Sequence, residues 1–388
     1  MTERNLLLVH DHRFPLSQGD GLNDGRFGDL RKYTSLFDSV TLLARSRVAD
    51  AAERTTLPKL ADALVDFKPT SLFGMLRSHP ERRRVLALIR TSDAIVVRLP
   101  SVLGSLAFRW GKRLRKPVLV EMVGCPWDAY INHGLLGKLV APMAFLVTRR
   151  QVRNAAYTLY VTERFLQDRY PTRGHSIGCS DVVLGESDRD TLERRVQDIE
   201  RRPPDAPMRL ATAAAVDVAY KGHAYVIAAI AALKAERKGV EYWVIGPGDQ
   251  SRLRALAMEH GVLEEVRFLD ALPHGEVLRT IQEEIDLYVQ PSRQEGLPRA
   301  VLEAMSVACP AIGSRVGGIP ELLDSACTFR GGDVKELAAL IARLKPTDLK
   351  VMAVRNFEFV QQRYAADVLD ERRTQFMRRF RASADESD

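Results

Sequence analysis

The sequence predicts an α/β protein made of two doubly wound, Rossmann-like domains facing across a cleft. Three observations lead there. At 388 residues the chain exceeds what one core comfortably fills, so two domains are expected. Short apolar, β-prone runs alternate with helical segments through the first half, which implies a mostly parallel sheet covered on both faces. The same alternation restarts after a polar, charge-rich passage that ends in Arg201-Arg202-Pro203-Pro204-Asp205-Ala206-Pro207.

In the first half the expected strands are Leu6–His10, Val40–Ala44, Ala94–Arg98, Pro117–Val123 and Tyr157–Val161. Helical segments around Asp24–Phe37, Glu81–Thr91, Ser101–Leu114 and Leu135–Arg153 lie between them. In the second half the strands are Met208–Ala214, Glu241–Ile245, Val266–Leu269, Leu287–Val289 and Ala311–Ser314, each followed by a helix. This divides the chain into a first domain over 1–190, a linker over 191–207, a second domain over 208–365 and a C-terminal helix over 366–388. Ligands of such sheets sit outside the carboxyl ends of the strands, so residues there are the ones to search.

Bulk chemistry removes several function classes. The formal charge is +7 and the pI about 9.3, with arginines in clusters, yet no nucleic-acid recognition module or interleaved aromatic accompanies them. Nucleic acid is therefore not an expected partner. Cys125, Cys179, Cys309 and Cys327 are scattered without metal spacing, which suits reduced thiols in a cytoplasmic protein. The start, MTERNLLLVHDH, has no signal-peptide layout, and no window has the apolar length of a membrane span. Gly134–Arg153 joins a shorter apolar stretch to a basic end, the composition of a helix lying on an anionic bilayer surface or of a buried helix with an exposed basic end. Gly246-Pro247-Gly248 is followed by Ser251, so the dinucleotide glycine pattern is absent. His10 and His12 share one side of an extended strand end, but no third ligand is implied, and no metal is expected.

The densest signal is Leu287–Pro320, LYVQPSRQEGLPRAVLEAMSVACPAIGSRVGGIP. A buried strand enters the loop from Gln290 to Leu297. Pro298 suits the first helical position, and Arg299–Ala308 carries the helix. Ala300, Val301, Ala304, Met305 and Ala308 share one flank of it, and Arg299, Glu303 and Ser306 another. The N–H groups of the first turn form an anion site, with Glu295 beside it and Glu303 one turn inside. Acceptors on both sides of a phosphate site suit a sugar nucleotide.

Glu295, Glu303, Ala304, Met305 and Gly317–Glu321 together resemble the signature of the family-4 retaining glycosyltransferases, which have the GT-B fold. The resemblance implies a metal-independent, cofactor-free enzyme that moves a sugar from a nucleotide-diphosphate sugar to an acceptor. It implies that Lys221, followed by Gly222 ahead of a helix, binds the donor phosphates. Glu303 then meets the ribose hydroxyls and Glu295 those of the donor sugar. Amides of Leu297, Arg299 and Ala300 hold the phosphates, in a turn with Gly296 and with Pro298, which removes one possible donor, and the segment ending at Leu269 lies along the base. The C-terminal helix is implied to cross back onto the first domain. Many members carry an arginine at the end of the strand before the lysine; here Ala213 to Val216 has no basic residue, leaving Arg293 or Arg299 to supply charge.

The same resemblance makes the first domain the acceptor side. Its candidates are His10 and Glu121 at the reacting centre, with Gly19, Gly21, Arg98 and Asp128 around the acceptor; Gly25 and Gly28 extend the loop. Where many relatives have a histidine near Val123, this chain has none. Less specific runs, VHDHRF, VEMVGCPWD and YPTRG, are reminiscent of capsule and exopolysaccharide assembly transferases, implying a lipid-linked or glycan acceptor at the cytoplasmic face of a membrane. The alternatives are a transferase for a small soluble acceptor and a non-catalytic nucleotide-binding subunit.

Overall fold

The computed structural model describes residues 4–17, 20–22, 30–57, 59, 65–70, 78–132, 134–185, 187–236 and 239–385. They form two compact units, Met1–Val183 with Leu369–Asp388, and Leu184–Val368.

The first unit is built on β1 (Asn5–Ser17), β2 (Asp20–Gly21), β3 (Ser39–Val48), β4 (Val65–Thr70), β5 (Ala94–Leu99), β6 (Val118–Met122), β7 (Tyr157–Tyr160) and β8 (His175–Gly178). The order is β4-β3-β1-β5-β6-β7-β8, all parallel, with β2 antiparallel on β1. Leu6, Leu7, Leu8 and Val9 are fully buried, as a central strand covered on both faces requires.

β1 runs beyond the expected His10. His10 lies opposite Ala44 and Arg13 opposite Arg45, so Asp11 and His12 form a bulge and pairing resumes after it. The buried Phe14 ring, edge-on to Phe67, anchors the extension. The expected open glycine loop is thereby shortened. Gly21 belongs to β2, where a Cβ would stand 2.8 Å from the Phe67 ring. Gly19, Gly25 and Gly28 lie outside the described residues. The edge strands β4 and β8 were not expected: their polar composition, VDFKPT and HSIG, hides them from a hydrophobic pattern but suits an edge.

The helix Ala366–Asp385 buries Phe376, Met377 and Phe380. Tyr157 of β7 packs edge-on against Phe376 at 5.8 Å and Phe380 at 5.5 Å.

The second unit has β9 (Met208–Ala213), β10 (Val240–Ile245), β11 (Val266–Leu269), β12 (Leu287–Gln290), β13 (Ala311–Ser314) and β14 (Thr328–Phe329). Its parallel order is β11-β10-β9-β12-β13-β14. The passage expected as a linker from 191 is largely the helix Arg189–Arg201, which belongs to this unit. Buried Arg195 explains why: it donates to the carbonyls of Ile281 (2.9 Å), Gln282 (2.8 Å) and Ile285 (2.7 Å), closing the end of helix His274–Glu284.

Each sheet reverses its order beside its first strand, between β1 and β5 in one and β9 and β12 in the other. Such a switch point opens a crevice at the carboxyl ends of the two strands. Among the described residues, no helix is long and apolar enough to cross a membrane.

Candidate functional site

In the second unit the two strands flanking the switch point deliver the two strongest sequence candidates. After β9, the short 3-10 turn Ala219–Lys221 presents Lys221; after β12, the loop presents Glu295. Lys221 Nζ donates to Glu295 Oε1 at 2.8 Å. The same oxygen accepts from Ser292 Oγ at 2.7 Å and Gln290 Nε2 at 3.1 Å. The carboxylate is thus oriented by three donors, and its ion pair is only partly shielded, with Lys221 24% and Glu295 10% exposed. Lys221 also stands 5.6 Å over the Tyr220 ring.

Gly222 makes this approach sterically feasible. Its φ is +84°, and a Cβ there would stand 2.1 Å from the Pro291 carbonyl oxygen. Behind it His223 is buried, with Nδ1 2.8 Å from the Tyr242 hydroxyl and Nε2 3.3 Å from the Ala214 carbonyl. Burial lowers its pKa to about 4.

Glu295 is held from the other side by the second glycine run. Gly318 N donates to Gly296 O at 2.7 Å. Gly317, at φ +56°, has no room for a Cβ, which would meet the Glu295 carbonyl at 2.3 Å. The spacing between the two motifs therefore reflects a loop seated on a glycine shelf.

The helix after the loop is Arg299–Ser306. Pro298 is its extended cap residue (ψ 109°), one position earlier than expected, and Val301 N closes the first turn onto Pro298 O at 3.2 Å. The amides of Arg299 and Ala300 precede that bond and face out of the helix end. Ser306 is buried and donates to Glu303 O at 2.7 Å, so it does not share an open flank with Glu303. Burial raises the Glu303 carboxyl above its ordinary range, against the pull of His274 and Arg299. The buried Tyr288 phenol is kept neutral by burial and by the fields of Glu303 and Glu295. At the end of β11, the Leu269 carbonyl accepts from Gln250 Nε2 at 3.2 Å. Of the two arginines considered for the missing charge, Arg299 is exposed near Glu303, while Arg293 donates to the Tyr225 hydroxyl at 3.2 Å.

Sequence reasoning missed Gln290, Ser292, Tyr288 and His274. The first two had a signal: polar residues at the end of an apolar strand. His274 had none, since only folding brings it near Glu303.

In the first unit the switch point lies beside His10 of β1 and Arg98 of β5. His10 Nδ1 accepts from His12 N at 3.1 Å, which puts the ring proton on Nε2, and burial, Arg98 and His12 lower its pKa to about 3. Asp11, bulged out of β1, accepts from Val102 N (2.6 Å) and Leu103 N (3.1 Å), capping helix Val102–Arg113. Asp11 of the His-Asp-His run is thereby committed to a helix end.

Arg98 and Glu121 are not separate groups of an open acceptor site. Arg98, 4% exposed, lies 3.3 Å from Glu121 and 2.7 Å from Asp181. Glu121, 2% exposed, also accepts from the Tyr33 hydroxyl at 2.7 Å and faces Arg373 of the C-terminal helix at 3.9 Å. Burial would raise the Glu121 pKa, but Lys32, Arg98 and Arg373 outweigh it and hold the carboxyl below its ordinary value. A carboxylate compensated in this way is a structural hub, not a proton acceptor. Asp128 is similarly engaged, with Arg169 Nη1 at 2.9 Å. A pair that sequence reasoning overlooked stands nearer the surface. Arg13 and Arg45, opposite each other in register, line an open hollow of about 580 Å³ with Ser46, Thr70, Ser78 and the Glu81 carboxylate, which accepts from Thr70 Oγ1 at 2.6 Å.

Residues 207–345 match the family described as glycosyl transferases group 1. Protein CapJ of Staphylococcus aureus is 30% identical over 349 residues, 87% of this chain and 85% of that protein. The amylovoran biosynthesis glycosyltransferase AmsK of Erwinia amylovora is 34% identical over 144 residues, 34% of this chain and 35% of that one. Among solved structures, Anabaena HepE in complex with UDP-glucose superposes with a TM-score of 0.65 at 16% identity, covering 96% of this chain and 99% of the other. That likeness shows the GT-B fold.

Proposed function

Because this chain belongs to the group 1 glycosyl transferases, we propose that it moves a sugar from a nucleotide-diphosphate sugar to a glycan or lipid-linked saccharide, with retention and without a metal. The observation that carries the site assignment is the Lys221–Glu295 pair across the switch point of the second sheet. A donor entering there exchanges one partner for another: the Lys221 ammonium turns to the diphosphate, and the freed Glu295 oxygen receives hydroxyls of the sugar. The Arg299 and Ala300 amides lie at the helix end, where phosphate oxygens are favoured. Glu303, made more basic by burial, meets the ribose hydroxyls.

Cleavage of the anomeric carbon–oxygen bond leaves negative charge on the diphosphate. Lys221 and the helix end place positive potential where that charge develops, so they act most strongly in the transition state. This supply of charge makes a metal unnecessary. The acceptor hydroxyl attacks from the leaving-group face and gives its proton to the departing phosphate, so no protein nucleophile is invoked. Glu295 and Glu303 bind and orient; they are not a glycosidase-like acid and base. On the acceptor side, His10 is neutral, with its ring proton on Nε2. With Arg98 committed to carboxylates, Arg13 and Arg45 are the better cations for an acceptor phosphate. Similarity to AmsK, an amylovoran biosynthesis glycosyltransferase, supports a saccharide of a polysaccharide as the acceptor class.

The test is calorimetry with UDP-, GDP- and ADP-sugars on the wild-type chain and Lys221→Ala. One base should bind selectively, and the variant should bind it roughly tenfold to a hundredfold more weakly. Equal binding by both proteins would remove Lys221 from the phosphate site. No binding across the panel would count against a working donor site in this chain.

A further inference from the structure

We propose that the helix Gly134–Arg153 is a docking surface for an anionic lipid bilayer, lying flat with its apolar face in the headgroup region. Its orientation on the first unit is set by Gly137, Ala141, Thr148, Gln151 and Val152, all buried. Gln151 locks it in place, accepting from Ser105 Oγ at 3.1 Å and donating to Ser105 O at 3.1 Å. The opposite face is the unusual one. Leu135 is 80% exposed, Leu136 79%, Leu139 77%, Met143 64% and Leu146 63%. Together with two valines, Val140 and Val147, they fall within an arc of about 140° on the helix. Large apolar side chains left in water along four turns mark an interaction surface.

Charge selects the occupant. Residues 134–153 contain no Asp or Glu, and Lys138, Arg149, Arg150 and Arg153 are all exposed. The neighbouring helix Val102–Arg113 adds exposed Arg109, Lys112 and Arg113. An apolar stripe on a helix that carries cations and no carboxylate fits acyl chains beneath anionic headgroups. A second copy fits poorly, because a two-fold contact through this helix sets the same cations against themselves. The inference does not depend on which sugar or nucleotide the second unit uses.

Co-sedimentation of the full chain with vesicles tests it, using phosphatidylcholine alone and phosphatidylcholine mixed with phosphatidylglycerol. The wild type should sediment with the mixed vesicles and far less with the neutral ones. Leu139→Ser with Met143→Ser should abolish binding while leaving the thermal unfolding midpoint unchanged, since both side chains are exposed. Arg149→Gln with Arg150→Gln should weaken binding to the anionic vesicles roughly tenfold or more, as should added salt. The proposal is overturned if the wild type ignores anionic vesicles, or if the serine variant binds them equally well. It is also overturned if ultracentrifugation shows a dimer that the serine variant breaks while vesicles are not bound.

Discussion

Glu295 concentrates three donors on one carboxylate oxygen, drawn from two stretches of the chain. Gln290 ends β12 and Ser292 follows two residues on, whereas Lys221 arrives from the neighbouring strand connection. Ser292→Ala should therefore weaken sugar-nucleotide binding without unfolding the unit, and titration of the variant checks this. Gly222 is less tolerant. An alanine there combines a left-handed backbone with a collision against Pro291, so Gly222→Ala should cost more than about 1–2 kcal/mol, read from the denaturant midpoint. His223 gives a pH signature. Its folded pKa near 4 lies below the 6.5 of an unfolded histidine, so the unfolded chain binds the extra proton as pH falls. Stability should then decline from about pH 6.5 towards pH 4, by on the order of 3 kcal/mol from this residue. In His223→Gln that slope should flatten, although His10, at about 3, contributes in the same direction.

Elements acquire their ends from partners remote in sequence. Helix Val102–Arg113 has its own cap, with Ser101 Oγ accepting from Gly104 N at 2.7 Å, yet its first two amides are taken by Asp11 of β1. Asp11→Ala should cost about 1 kcal/mol of first-unit stability, measured by thermal or denaturant unfolding. The bulge that frees Asp11 was not legible in VHDHRF, because the alternation of apolar and polar residues is the same on a regular strand. By contrast, the loop and helix from Gln290 to Ser306 were legible almost residue by residue. Strand end, glycine, proline and amphipathic run are local signals there; Pro298 shifted by a single position, and the helix stops at Ser306, short of the expected Ala308, whose φ is +55°. The edge strands β4 and β8 show the opposite case: half-solvated edges need no apolar run, so pattern alone passes over them.

At the scale of the whole molecule, the C-terminal helix returns the chain to the first unit. Arg373 donates to Ser180 O at 2.6 Å and faces Glu121, while Phe376 and Phe380 cover Tyr157. A chain ending at residue 365 should lower the unfolding temperature of the first unit, since each lost aromatic removes roughly 1.5–3 kcal/mol of burial. Scanning calorimetry with and without the preferred sugar nucleotide checks this, because ligand raises only the transition of the unit that binds it.

By itself the sequence determined the fold class and the two sheets, and it singled out the candidate residues of the second unit. Hydrophobic period and turn chemistry are local quantities; Lys221, Gly222 and Glu295 sit at the strand and helix ends such signals mark, and Glu303 one turn inside the helix that follows. Tertiary structure alone decided which polar groups remain available. Arg98 and Glu121 read as two separate candidates until β5 and β6 place them side by side with Arg373 of the last helix, where desolvation leaves them no stable arrangement but pairing. It also decided which face of Gly134–Arg153 stays in water, because composition counts apolar residues but only packing chooses a side.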